Sequence, residues 1–514
     1  MIDLGADLAH WFDLDEEPYT VRFSRLFVRR GETGLTVHRA AYERSLADSV
    51  VVERLRVLDD DGLEAPVSTA DPFRISFTGG AWLMVTPDDE IAVGLPDGWS
   101  VDHVPGPALG EASFIHPAEP PAGVIADLAE WLARCPAVDP RWRDVTRFAW
   151  WTLGVNTLVL DAPAGLNRAV VPSKIGYVGL WQWDAYFMAI GLRHGDPGLA
   201  REQLRIALAH PSTSGQLPDV VHEDGILASS DDLPPGDLEN LRAMASPSLA
   251  HTAVPLTKPP LTALAVALMG DQSVVDEFLA TMLAAQEWWY RDSAPAGRPA
   301  YLHPYSSGLD DSPIFDHEAI LVSPDLSAYL VLADRLMAGW LRERGRDAEA
   351  ERCTARADAE LAALIESWNG EFFPSVGEAG DVVASEAIVS LMPLLADGLP
   401  PHLVDGIVAA IEDPTRFATA HPLPTVAVRD PDFSETRMWR GPVWVNTNWL
   451  VAQGLRRQGL IDKAERLERA TLELVAAQGP NEYFRPDTGV KPPRATTVFG
   501  WSAALTVDLA VAHS

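Results

Sequence analysis

The sequence predicts a mainly α-helical protein with a small β-rich region ahead of the helices. From about residue 121 onward, apolar residues recur at helical spacing in segment after segment, separated by long polar loops. Before about residue 105, short apolar or alternating runs are cut by turn clusters roughly every 8–12 residues, the pattern of a small β-sandwich. Between them, Pro105 to Pro121 is rich in Pro, Gly and Ala and reads as a linker. The expected division is a β-rich domain with its linker over 1–120 and a helical domain over 121–514.

In the first part, Tyr19 to Val28, Val50 to Leu58 and Ala81 to Val85 are the clearest strand candidates. Gly31-Glu32-Thr33-Gly34, Asp59-Asp60-Asp61-Gly62 and Thr78-Gly79-Gly80 supply turns between them. Arg39 to Asp48 admits a short helix. In the second part, helices are expected near 139–158, 184–195, 197–210, 250–269, 271–291, 321–344, 346–368, 383–395, 401–412, 441–458, 460–478 and 498–512. Segment 321–344 carries Leu326, Tyr329, Leu330, Leu332, Leu336 and Trp340 as one apolar stripe. About twelve helices make six hairpins, which close into an (α/α)6 toroid or stack as an open solenoid. In a toroid the long loops over 211–236, 293–320 and 413–440 gather on one face above the centre, and long structureless loops are usually functional.

Composition narrows the function. Hydrophobic content of 47% and a mean hydropathy near zero describe a soluble globular chain. A net charge of −33 repels nucleic acid and anionic membranes, so neither is an expected partner. Only four of the 40 basic residues are Lys: Lys174, Lys258, Lys463 and Lys491. Cys135 and Cys353 are too few and too far apart for a disulfide framework or a metal motif. Met1 to Asp7 lacks the basic start and apolar run of a signal peptide, and no stretch approaches ~20 uncharged apolar residues, so a cytoplasmic location is expected. Seventeen Trp outnumber sixteen Phe and nine Tyr. Such a surplus suits either carbohydrate-facing clefts or large core knobs.

Four separated segments couple aromatic rings to polar residues. In Trp181-Gln182-Trp183-Asp184, the carboxyl either caps a helix or, walled by Trp181, Trp183 and Tyr186, retains its proton as a general acid. In Asn481-Glu482-Tyr483-Phe484, Glu482 is a solvated loop residue or a general base shielded by rings, with Asp487 a weaker rival. Ser307-Gly308-Leu309-Asp310-Asp311-Ser312-Pro313 with Asp316 offers carboxylates to sugar hydroxyls; it lacks the regular alternation of a calcium loop, and no metal is expected. Trp439-Arg440-Gly441-Pro442-Val443-Trp444-Val445-Asn446 opens a helix at Pro442 and combines stacking rings with amide donors.

Together these segments resemble glycoside hydrolase family 63 and its relatives, which include α-glucosidases and mannosylglycerate or glucosylglycerate hydrolases. Thr257-Lys258-Pro259-Pro260 and Phe499-Gly500-Trp501-Ser502 match further landmarks, and the resemblance covers about 140–514. It implies a toroid and an inverting mechanism, with Asp184 as general acid and Glu482 as general base. Trp181, Trp183, Tyr186, Asp310, Trp439, Arg440, Gly441, Trp444, Asn446 and Tyr483 are then the expected substrate-binding residues. Inversion requires the two carboxyls roughly 6.5–9.5 Å apart, with room for a water. The expected substrate is a terminal α-linked hexose, an α-glucoside first and a hexosylglycerate-type solute second. Val490-Lys491-Pro492-Pro493-Arg494 departs from the Gly-rich stretch common in relatives, so the leaving-group side differs. No cofactor is expected, and the partner is a small glycoside or oligosaccharide. Competing readings are a sugar epimerase based on His210, His222, His251, His303, His317 or His421, an inactive carbohydrate-binding relative, and a helical scaffold.

Overall fold

The computed structural model describes residues 7–107, 112–162 and 165–514. Met1 to Ala6, on which the signal-peptide expectation rests, and the middle of the Pro105–Pro121 linker lie outside them. The first strands are β1 Tyr19–Thr20, β2 Leu26–Gly31, β3 Gly34–Arg39, β4 Val50–Leu58, β5 Val67–Ala70, β6 Ile75–Phe77, β7 Trp82–Val85, β8 Glu90–Gly94, β9 Ser100–Pro105 and β10 Ser113–Ile115. They form two sheets, ordered β1-β2-β3-β4-β9 and β10-β8-β7-β6-β5, antiparallel except for the parallel β10–β8 pair. Val28, Val37 and Val52 of the first sheet and Ile75, Leu83 and Ile91 of the second are buried in one apolar cluster.

Thirteen α-helices follow among the described residues: α1 Ala122–Ala133, α2 Arg143–Val155, α3 Gln182–Leu192, α4 Pro197–Ala207, α5 Pro235–Ala243, α6 Thr262–Met269, α7 Gln272–Arg291, α8 Pro324–Glu343, α9 Asp347–Glu366, α10 Pro401–Glu412, α11 Val445–Arg457, α12 Ile461–Gln478 and α13 Gly500–Ala512. Neighbour packing runs from α3 to α6, to α8, to a 3₁₀ segment at Ile388–Leu395, to α11, to α13 and back to α3. Each of these has a second partner: α4, α7, α9, α10, α12 and α2 respectively. Every residue of α3 is buried, as are those of α13 through Ala510. By contrast α9 buries one stripe, Ala350, Cys353, Ala357, Glu360, Leu361 and Leu364. A helix apolar on all sides belongs inside, and a one-sided helix outside.

Several boundaries differ from expectation for local reasons. The helix expected over 250–269 begins only at Thr262, because Pro259 and Pro260 hold the chain extended ahead of it. Segment 383–395 is 3₁₀ over Ile388–Leu395, with Pro393 inside. Arg39 to Asp48 is no helix beyond a 3₁₀ turn at Ala47–Ser49; Glu43 there has a left-handed φ of 53°. The helices α1 and α5 and a hairpin of Thr157–Ala162 with Gly165–Val170 were not anticipated.

The β-rich region is tied directly to the helices. The buried Lys174 side-chain nitrogen donates to Thr20 Oγ1 and to the Val21 carbonyl, both at 2.9 Å. Arg25 pairs with Glu223 at 2.6 Å. Among the described residues, no helix is long and apolar enough to cross a membrane.

Candidate active site

The N-terminal ends of the buried helices share one face, and the four motif segments meet there. Asp184 lies in the first turn of α3, Trp444 directly precedes α11, and Phe499 directly precedes α13. An inner pocket of about 60 Å³ is lined by Asp184, Glu482, Asp310, Lys258 and rings that include Trp183, Trp439, Trp444 and Trp501. It opens into an outer cleft of about 720 Å³, and Tyr177, Trp181, Lys258, Asp310, Met438 and Glu482 line both.

The aromatic wall is built by close packing. Trp439 and Trp444 stack at 3.7 Å with 6° between planes, and Trp183 meets Trp501 edge-on at 5.3 Å. Gly308, at φ 72°, lies against the Trp183 ring where a Cβ would collide with it. Trp444 donates its indole N–H to the Met438 carbonyl at 2.9 Å. The buried indole N–H groups of Trp439 and Trp501 have no protein partner.

Burial raises both of the pocket's motif carboxyls. Burial drives Asp184 well above the usual carboxylate range, and Asp219 and Asp310 reinforce this; Lys258 and a backbone N–H oppose it. A helix N-terminus favours a carboxylate by only about 0.3–1 kcal/mol, whereas full burial shifts a carboxyl by up to about 3–5 units. Desolvation therefore outweighs the helix end. Burial also raises Glu482, to about 7, against the Thr496 N–H at 2.9 Å and the Tyr177 hydroxyl at 3.0 Å, which both donate to it.

Asp310 is pushed up to about 8 by burial and by Asp219, Asp237 and Asp311, and its Oδ1 makes no hydrogen bond. The neighbouring carboxylates are engaged elsewhere. Asp311 accepts from Arg437 Nε at 3.0 Å and from the Trp439 N–H at 2.8 Å, and Asp316 forms a two-pronged pair with Arg440. The three Asp residues thus diverge instead of converging on a cation.

Of the expected binding residues, Trp181, Trp183, Asp310, Trp439, Trp444 and Tyr483 line the pocket or cleft. Tyr186, Arg440, Gly441 and Asn446 are not among the residues that line either. Tyr186 lines a separate small cavity with Gln182 and Trp288. The Arg440 guanidinium is spent on Asp316, the Gly441 N–H on Thr425 Oγ1, and Asn446 is fully buried. No histidine is among the lining residues, which removes the support for an epimerase built on one.

Two functional-looking groups were not assigned a site role from the sequence. Lys258, buried, donates to the Tyr305 carbonyl at 2.6 Å and pairs with Asp219 at 3.0 Å, with Asp310 at 4.0 Å. Burial opposes its charge, but these carboxylates hold its pKa above the ordinary value. Its rarity was the signal. Tyr177 carries no motif and is recognised only through its bond to Glu482.

The model of the mannosylglycerate hydrolase MGH1-like glycoside hydrolase domain matches residues 177–502. The mannosylglycerate hydrolase of Thermus thermophilus is 28% identical over 404 residues, covering 65% of this chain and 95% of the relative. A glucosylglycerate hydrolase of Mycolicibacterium hassiacum is 25% identical over 427 residues, covering 67% of this chain and 94% of the relative. In structure, a family 63 mannosylglycerate hydrolase of Thermus thermophilus, solved with Tris and D-glycerate, matches with a TM-score of 0.59 at 25% identity, covering 71% of this chain and 99% of that one. The matched domain spans well over half the chain and contains both tuned carboxyls, so the chain belongs to the MGH1-like group of glycoside hydrolase family 63 and is a glycoside hydrolase.

Proposed function

We propose that the chain hydrolyses a terminal α-linked hexose with inversion, and that its substrate is a small glycoside of the hexosylglycerate kind. The observation that carries the mechanism is that Asp184 and Glu482 line one pocket, where burial raises both carboxyls. Asp184, kept protonated by burial, gives its proton to the glycosidic oxygen as the bond to the sugar breaks. Glu482, poised near neutrality, takes a proton from the water that attacks the anomeric carbon from the opposite face. Asp310 and the free indole N–H groups grip the sugar hydroxyls. The activities that name the relatives favour a hexosylglycerate over the α-glucoside expected first. We read the returning succession of buried helices, each backed by a one-sided partner, as an (α/α)6 toroid.

Proton NMR of the first turnover tests this on a panel of α-glucosyl- and α-mannosylglycerate and aryl α-hexosides. Release of the β-anomer, with a hexosylglycerate preferred, is expected. First release of the α-anomer overturns the inverting assignment, and a preference for long α-glucosides overturns the substrate.

A further inference from the structure

The outer cleft has a wall that the family match does not include. Glu43, Arg44 and Ser45, in the loop between β3 and β4, line it together with the helical domain. This loop lies more than a hundred residues before the matched span begins at residue 177.

The loop is fixed in place from both sides. The Tyr42 ring stacks on His222 at 3.9 Å with 5° between planes. The Tyr42 N–H donates to Glu223 at 3.3 Å, and Glu223 is also the ion-pair partner of Arg25. Arg25 in turn donates to the Ala40 carbonyl at 3.3 Å. The left-handed backbone at Glu43 is uncommon and strained for a residue with a side chain. Such a turn persists only where surroundings impose it. Here they hold Arg44 at the cleft.

Four cations line the outer cleft: Arg44, Lys258, Arg437 and Arg494. Lys258 is taken by Asp219, and Arg437 by Asp311. Arg44 and Arg494 have no ion-pair partner among the described residues, in a chain where acids outnumber bases 73 to 40. Neither lines the inner pocket; both face the outer cleft, where the hexosylglycerate reading puts the leaving group. Glu43 and Asp237 line the same cleft, which leaves its charge mixed; the guanidiniums are its uncommitted donors. Free guanidiniums are fork-shaped partners for a carboxylate.

We propose that the β-rich region is part of the substrate site: its β3–β4 loop walls the leaving-group side, and Arg44 binds the carboxylate of the departing group. This rests on the hexosylglycerate reading above and adds to it a specificity-determining residue from outside the matched domain.

The test compares wild type with Arg44→Ala and Arg44→Lys on α-hexosylglycerate and its neutral analogue α-hexosylglycerol. A charge-assisted hydrogen bond of about 1.5–3 kcal/mol predicts that Arg44→Ala loses roughly 10–100-fold in kcat/KM on the glycerate, mainly through KM. The loss on the glycerol should be at least tenfold smaller, with Arg44→Lys in between. Equal losses on both substrates, or none, overturn the proposal while leaving hydrolysis intact. Calorimetric titration with D-glycerate is independent of turnover. If wild type cleaves neither substrate, the proposed function falls, and Arg44 is then judged on glycerate binding: weakened by Arg44→Ala, it stands; unchanged or absent in wild type, it falls.

Discussion

Glu482 is the residue whose surroundings say most about how the protein works. With Glu482 as the proposed base, a pKa of about 7 leaves it half ionised at neutrality, so kcat/KM should fall about tenfold per pH unit below 7. In the proposed mechanism the alkaline limb belongs to Asp184, whose carboxyl burial holds well above the usual range. Asp184→Asn and Glu482→Gln should each lower turnover by roughly 10²–10⁴-fold. Both groups bind protons in the folded state that the unfolded chain releases. Their contribution to stability is therefore full below the unfolded values and is lost as pH rises through the folded ones. Glu482→Gln removes this burden and should melt no lower than wild type at pH 8 while losing its acidic limb. A variant that keeps near-native rates, or that fails by unfolding, would take the base role from Glu482. The sequence already showed both carboxyls beside aromatic residues. It could not show which of three nearby aspartates stays free, because that depends on Arg437 and Arg440, more than a hundred positions away.

At the level of elements, two ion pairs knit the loop ahead of α8 to the loop ahead of α11. Asp311 holds Arg437 and the Trp439 N–H, and Asp316 holds Arg440. Arg440 is 6% exposed, so losing it strands a half-buried carboxylate. Arg440→Ala should cost about 1–3 kcal/mol in urea unfolding and depress kcat as well as raise KM, because the Trp439–Trp444 stack loses its frame. Arg440→Lys keeps the charge but not the fork and should recover only part. A raised KM with unchanged stability would instead mean that Arg440 touches the sugar. Periodicity made the long helices legible: the segment expected over 401–412 is α10 itself, and that over 460–478 is α12 within one residue. It missed α5, whose nine residues bury only Leu241, and it made a helix of Ile388–Leu395, where apolar content is high but Pro393 forbids the longer hydrogen-bond ladder.

For the whole molecule, the net charge of −33 is spread over a compact body and opposes its own folding. Raising sodium chloride from about 20 mM to about 0.5 M shrinks the Debye length from roughly 20 Å to under 5 Å. The melting temperature should climb by several degrees over that range; a flat or falling trend would show that specific ion pairs, not the overall field, dominate. The order of the helices along the chain also bears on how the protein is made. The helix α13 packs on α2, α3 and α11, and its first turn brings Trp501 to the pocket that holds Asp184. Roughly three hundred residues separate α13 from α3. During synthesis α13 has not yet been made when α3 emerges, so the surface of α3 that it covers waits exposed. Closing such a long loop comes late and slowly. Until α13 has been made, the pocket lacks the wall that Trp501 supplies.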